Sequence, residues 1–299
     1  LALLAAILLA APAALWAQGQ YLDVYIAKVK PERTAEFEAI ARKIADAERR
    51  NNGDPAVALV PMYGDNSTYI FISQRQDYAD IDKGGEAFMS ALHKALGKPG
   101  TEQLMQNLNN CLVSSRSEVR MRRPDLSSKM PGDPQAFAKL IGESRVLRTI
   151  VVHTRPGHGG DFEELLKEVS VKTEHTANSQ PLLVSEVVEG GEDTYYLTFL
   201  RSSLGGFDKN STLMDILGKE GLAKFEKMIA ESVASADSAI YRFSAELSNP
   251  PKDIAEAASD FWNPKPMMAS AKANPTSKTS TAEAKTTPAA VKSKEKPQQ

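Results

Sequence analysis

Two stretches of the chain echo each other at a spacing the size of a domain. Val29-Lys30-Pro31 resembles Thr154-Arg155-Pro156, and Phe37-Glu38 matches Phe162-Glu163 at the same offset of 125. Arg75 and Arg201, then Asp82-Lys83 and Asp208-Lys209, follow at 126. Gly97-Lys98-Pro99-Gly100 matches Gly218-Lys219-Glu220-Gly221, and Leu126-Ser127 matches Leu247-Ser248, both at 121. Collinear matches with a slowly drifting offset mark a duplication. The period excludes solenoids and propellers, whose units run about 20–50 residues. The 299 residues divide into repeat 1 over 21–127, a linker over 128–144 and repeat 2 over 145–248. A short extension over 249–262 and a tail over 263–299 follow.

Both repeats carry one order of elements. Tyr21–Lys30 alternates, with Leu22, Val24 and Ile26 on one face and Tyr21, Asp23, Tyr25 and Ala27 on the other, the period of a strand. Phe37, Ile40, Ala41 and Ile44 recur at helical spacing, as do Phe162, Leu165, Leu166 and Val169. Strands over 57–63 and 68–74 flank a Gly64-Asp65-Asn66-Ser67 turn, with counterparts over 182–188 and 194–200. Helical regions over 84–113 and 211–235 precede last strands near 116–122 and 238–244. The order is β-α-β-β-α-β twice, an α+β chain of two tandem ferredoxin-like units. The aliphatic face of the first strand is expected against the helices, and the mixed face toward the interface between sheets. Asp23 and Arg148 are equivalent there and are expected to pair, because a buried charge is costly without a partner.

The Val-Lys-Pro strand end followed by a helix near Glu36-Phe37 resembles the dimeric α/β-barrel superfamily, in its NIPSNAP-like and antibiotic-biosynthesis-monooxygenase-like branches. The resemblance spans about 21–248. It implies two ferredoxin-like units packed sheet to sheet as a barrel, here within one chain, as a monomer with pseudo-twofold symmetry. That superfamily holds cofactor-free oxygenases, haem-binding and haem-degrading proteins, isomerases and proteins without known activity, so the fold does not fix the function.

The two ends read differently. Residues 1–17, LALLAAILLAAPAALWA, are uncharged and apolar, with small residues before Gln18, the pattern of a cleaved secretory signal peptide. Export to the periplasm or the medium is the expectation, and one cysteine excludes an internal disulfide framework. The tail carries seven Lys against two Glu and almost no large apolar side chain, so it is expected to be disordered. Its basic charge suits weak contact with an acidic envelope polymer. With 36 Lys+Arg against 38 Asp+Glu, the whole chain lacks the basic balance of a nucleic-acid binder.

No phosphate-binding loop, nucleophile elbow or zinc-protease motif occurs. The Gly-Lys pairs at 97 and 218 read as helix C-cap glycines. Asp82 and Asp208 read as helix caps, with Arg75 and Arg201 paired to nearby acids. Cys111 reads as a small buried residue whose counterpart is Ser232. No metal site and no cofactor is expected from four scattered histidines, of which His153 on the first strand of repeat 2 is the first choice for a ligand contact. Aromatic strand residues such as Tyr25 and Tyr69 are able to line a barrel cavity. The candidate ligand-binding residues are therefore Tyr25, Tyr69, Asp23, Arg148 and His153. The leading reading is a non-enzymatic exported protein binding a small apolar or aromatic molecule. A cofactor-free monooxygenase or haem-handling enzyme, and an envelope interaction protein using its basic tail, stand as alternatives.

Overall fold

The computed structural model describes residues 20–209 and 211–263. The expectations for a leader over 1–17 and for the tail beyond Asn263 lie outside those residues. The first half runs β1 (Tyr21–Val29), α1 (Thr34–Asn51), β2 (Ala56–Tyr63), β3 (Thr68–Arg75), α2 (Tyr78–Asn110) and β4 (Leu112–Arg122). A helix α3 (Pro134–Glu143) leads into β5 (Val146–Thr154), α4 (Gly159–His175), β6 (Leu183–Glu189), β7 (Thr194–Arg201), α5 (Leu213–Ser232) and β8 (Val233–Asn249). Two short helices follow, α6 (Lys252–Ala257) and α7 (Ser259–Trp262).

The eight strands close into one antiparallel barrel in the order β1-β3-β2-β8-β5-β7-β6-β4. The first half supplies β4-β1-β3-β2 and the second β8-β5-β7-β6. The two sets are sealed edge to edge, by ladders between β2 and β8 and between β4 and β6, instead of being laid face against face. Among the described residues, closure leaves no edge strand exposed to pair with another chain.

The strand faces are the reverse of the expectation. Leu22, Val24 and Ile26 point into the lumen, where Val24 and Ile26 pack with Leu147, Leu200, Tyr241 and Phe243. Tyr25 and Ala27 point outward and pack with Phe37, Ile40, Ala41, Tyr69 and Leu92. The physical reason is that both faces are covered, one by helices and one by the opposite wall. The contrast in polarity that orients a one-sided sheet is then weak. Asp23 and Arg148 therefore both lie on the helix side, and they do not pair. Asp23 accepts from Arg75 (Oδ2 to Nη2, 3.0 Å). Arg148 lies over the rings of Phe199 and Phe207, 5.2 and 5.1 Å from their centroids.

The segments read as linker and extension belong to the core. Ala138 of α3, Ile254 of α6 and Trp262 of α7 are buried in the lumen cluster. The Trp262 indole donates to the Gly142 carbonyl (2.9 Å) and fixes α7 against the end of α3. Together these helices cover one mouth of the barrel.

Local structure also revises the caps. The cap of α2 is Asp77, whose side chain accepts from the Asp80 amide (2.9 Å); Asp82 lies inside the helix. Asp208 lies in a 3-10 turn over Leu204–Lys209. Gly97 and Gly218 sit at φ +69° and +68°, each breaking its helix into two. An L side chain is strained there, which explains glycine at both places.

Corresponding bonds recur in both halves. Tyr69 donates to Glu38 (2.8 Å) and Tyr195 to Glu163 (3.0 Å). The Cys111 thiol donates to the Asn107 carbonyl (3.3 Å), and the Ser232 hydroxyl to that of Met228 (2.7 Å). Ser127 accepts from the Val184 amide (2.9 Å) while Ser248 accepts from the Ala58 amide (2.8 Å), so each half's last strand end ties into the other half.

Candidate ligand-binding site

Strand β4 brings a row of charged side chains to the barrel lumen. In β4, Arg116, Glu118 and Arg120 stand opposite the lumen-facing Ile26, Val24 and Leu22. The period of two puts them, and Arg122 beyond, on the inner wall. Glu118 is 5% exposed and accepts from Arg116 Nε (2.8 Å), Arg120 Nε (2.8 Å) and the Tyr196 hydroxyl (3.3 Å). Burial alone would raise its carboxyl, but the guanidinia of Arg120 and Arg116 outweigh burial and hold it below the usual range. The Arg120 guanidinium also lies 3.3 Å above the Tyr196 ring centroid.

Arg122 has no such partner. Its Nε is buried without a hydrogen bond, and its side chain forms no ion pair among the described residues. It lies 4.7 Å from the Phe137 ring centroid. Burial pushes the guanidinium down to about 10, which leaves it charged at neutral pH.

Arg120 and Arg122 both reach a lumen cavity of about 490 Å³. Its walls are apolar: Leu22, Ile72, Leu147, Leu200 and Phe243 from the strands, with Phe137, Ile141 and Ile254 from the helices over the mouth. Gln74, Ser185 and Thr198 add neutral polar groups, and no carboxylate lines it.

A second cavity, of about 500 Å³, lies outside the barrel wall beneath α1 and α2. Tyr25, Phe37, Phe71, Phe88 and Met105 give it an aromatic lining, and Asp23, Glu48 and Asp54 give it three carboxyls. Asp54 is held by Arg75 (Oδ1 to Nη1, 2.6 Å) and Ser73 (3.0 Å). Glu48 is 4% exposed and its Oε1 has no hydrogen-bond partner. Burial, then the charge of Asp54, pushes its carboxyl up to about 7. A Cβ on Gly53 would stand 2.5 Å from that oxygen, so glycine is needed for the close approach.

The expected site residues divide among these places. Tyr25 and Asp23 line the outer cavity. Tyr69 is buried beside it, its phenol raised by burial and by its bond to Glu38. Arg148 lies under the helices of the other half, and His153 is exposed, with Nδ1 2.9 Å from the Thr194 hydroxyl. None of His93, His153, His158 and His175 lines either cavity. Among the described residues no group of three His, Cys, Asp or Glu side chains is arranged to hold a metal ion. The reading from sequence missed Glu48, Glu118, Arg120 and Arg122. A signal for three of them existed: Arg116-Ser117-Glu118-Val119-Arg120-Met121-Arg122 alternates charge with period two on a strand destined for burial.

No family model matches the chain, and no curated protein matches it. Solved structures with a similar fold include an anthrone oxidase-like protein, 14% identical, covering 76% of this chain and 92% of that one at a TM-score of 0.48. Another is chlorite dismutase from Candidatus Nitrospira defluvii in complex with imidazole, 11% identical, covering 82% and 96% at 0.44. A barrel shared at such identity does not transmit a reaction.

Proposed function

We propose that the chain is a binding protein for a small, largely apolar ligand held in the barrel lumen. The observation that carries this reading is the lumen cavity itself. The side chains of an eight-stranded barrel either fill its interior or leave room for one small ligand. The volume of about 490 Å³ falls within the range of ligand pockets, about 300–1,000 Å³. Titration with the neutral fluorophore N-phenyl-1-naphthylamine tests it. Saturable one-site binding that is lost in Leu200→Trp and kept in Ala45→Phe is expected. The opposite pattern would move the ligand to the outer cavity, and no binding by any form would refute the reading.

One observation favours a second reading, a cofactor-free oxygenase working in the outer cavity. Glu48 is a carboxyl poised near neutrality beside aromatic walls, which suits general acid–base work. Oxygen uptake with quinol-like substrates, abolished by Glu48→Gln, is its test. A haem-handling reading would draw on Tyr25, Met105 or Met130 as iron ligands, since no histidine of the described residues lines either cavity.

We further infer that the two halves descend from one ferredoxin-like unit. The matching strand orders and the matching bonds of Tyr69 and Tyr195, Cys111 and Ser232, and Ser127 and Ser248 support this. Closure of the barrel within one chain supports a monomer. Export, with cleavage after residue 17, remains part of the proposal on the composition of 1–17. N-terminal sequencing of the protein from fractionated cells tests it.

A further inference from the structure

The lumen cavity carries a charge that its own wall does not neutralise. Of the two guanidinia that reach it, Arg120 is bound to Glu118, whereas Arg122 has neither a carboxylate nor a hydrogen-bond acceptor. The rest of the lining is apolar or neutral. A half-buried charge without a partner is costly to keep, and the fold does not require one here. β8 occupies the corresponding place in the second half: Leu22 of β1 faces Arg120, and Leu147 of β5 faces Tyr241. At the two places after that register, β4 carries Arg122 and β8 carries Phe243, so an aromatic side chain serves the same wall.

We propose that the lumen ligand is an amphipathic monocarboxylate, its head group seated on Arg122 beside Arg120 and its hydrocarbon body against Leu147, Leu200 and Phe243. This rests on the lumen reading above and names the class of molecule it holds. A single free guanidinium matches a single negative charge. Its planar fork of donors matches the two oxygens of a carboxylate. The Phe137 ring behind Arg122 holds the fork while leaving its donors free. A neutral ligand of the same shape would leave that charge buried and unanswered, so discrimination comes from the head group and not from the body.

Calorimetric titration of the protein with decanoate and with methyl decanoate separates the claims. Decanoate is expected to bind roughly tenfold to a hundredfold more tightly than the ester, the range for a hydrogen bond to a charged group. Arg122→Met should bring the two to near equality, and Leu200→Trp should remove both. Arg122→Met is expected to unfold at or above the parent's temperature, because it removes a half-buried charge whose Nε has no partner. Equal binding of acid and ester by the parent would overturn the carboxylate assignment and leave the lumen reading standing. Binding of neither would overturn both. A carboxylate preference that survives Leu200→Trp, or a melt of Arg122→Met far below the parent's, would also overturn the assignment.

Discussion

The two halves of the barrel share a scaffold and differ in where they place charge. In the first half, Arg75 lies between Asp54 and Asp23, at 2.6 and 3.0 Å. In the second, Asp23 is replaced by Arg148, so Arg201 faces a like charge, and burial and that charge lower its pKa. The last strand of the first half lines the lumen with Arg116, Glu118 and Arg120, opposite Ile26, Val24 and Leu22. The last strand of the second half sets Asp237, Ala239 and Tyr241 opposite Val151, Thr149 and Leu147. Near the end of α1 stands Glu48, whose Oε1 has no hydrogen-bond partner, where α4 has Thr173, which satisfies itself on the Val169 carbonyl (2.7 Å). Bonds that recur in both halves close turns and tie strand ends, whereas Glu48, Arg120 and Arg122 stand where the other half has Thr173, Tyr241 and Phe243.

The largest effect should come from breaking the charge cluster of the first half. Arg75 is 6% exposed, so Arg75→Met strands two carboxylates against each other and is expected to cost about 3–5 kcal/mol in urea unfolding. Arg148→Met should cost clearly less, because Arg148 lies on the Phe199 and Phe207 rings and its removal relieves repulsion with Arg201. Equal costs would mean that the asymmetry of charge has no energetic weight.

A smaller difference is expected with pH. The Glu48 carboxyl titrates at about 7 in the folded protein and at about 4.3 in the unfolded chain. Between those values the folded state holds the extra proton, so this group makes stability fall as pH rises, by up to about 3 kcal/mol across the window. Glu48→Gln removes that slope, and the advantage of the variant over the parent should grow from pH 4 to pH 7. Thr173→Val in the second half should leave the slope unchanged. Chemical denaturation at several pH values measures both, and a parallel pair of curves for parent and Glu48→Gln would contradict the assignment.

The smallest effect tests the sameness of the halves. Cys111→Ser places at the end of α2 the hydroxyl that Ser232 already carries at the end of α5. The change should alter stability by less than about 1 kcal/mol, the scale of one hydrogen bond. A large loss would show that the thiol is held by packing the second half does not share.

Much of the fold was legible because periodicity and repetition are local and redundant. The alternation of Tyr21–Val29 and the helical spacing of Phe37, Ile40 and Ala41 each specify an element from its own residues. The sites were only half legible. Tyr25 and Asp23 do line a cavity, whereas Arg148 and His153 do not, and Glu48 sits in an ordinary amphipathic helix with nothing in its sequence to mark it.

What the sequence determined by itself is the strands and main helices over 21–248 and their order, since backbone period and turn chemistry act over a few residues. What only the tertiary structure decided is which face of each strand looks inward. Both faces are covered, and the choice depends on strands more than a hundred residues apart meeting across the lumen, as Leu22 and Arg120 in the first half approach Leu147 and Tyr241 in the second. That choice turned Asp23 and Arg148 away from each other and brought Arg120 and Arg122 together over an apolar cavity. A buried charge gains its meaning from neighbours that sequence distance does not reveal.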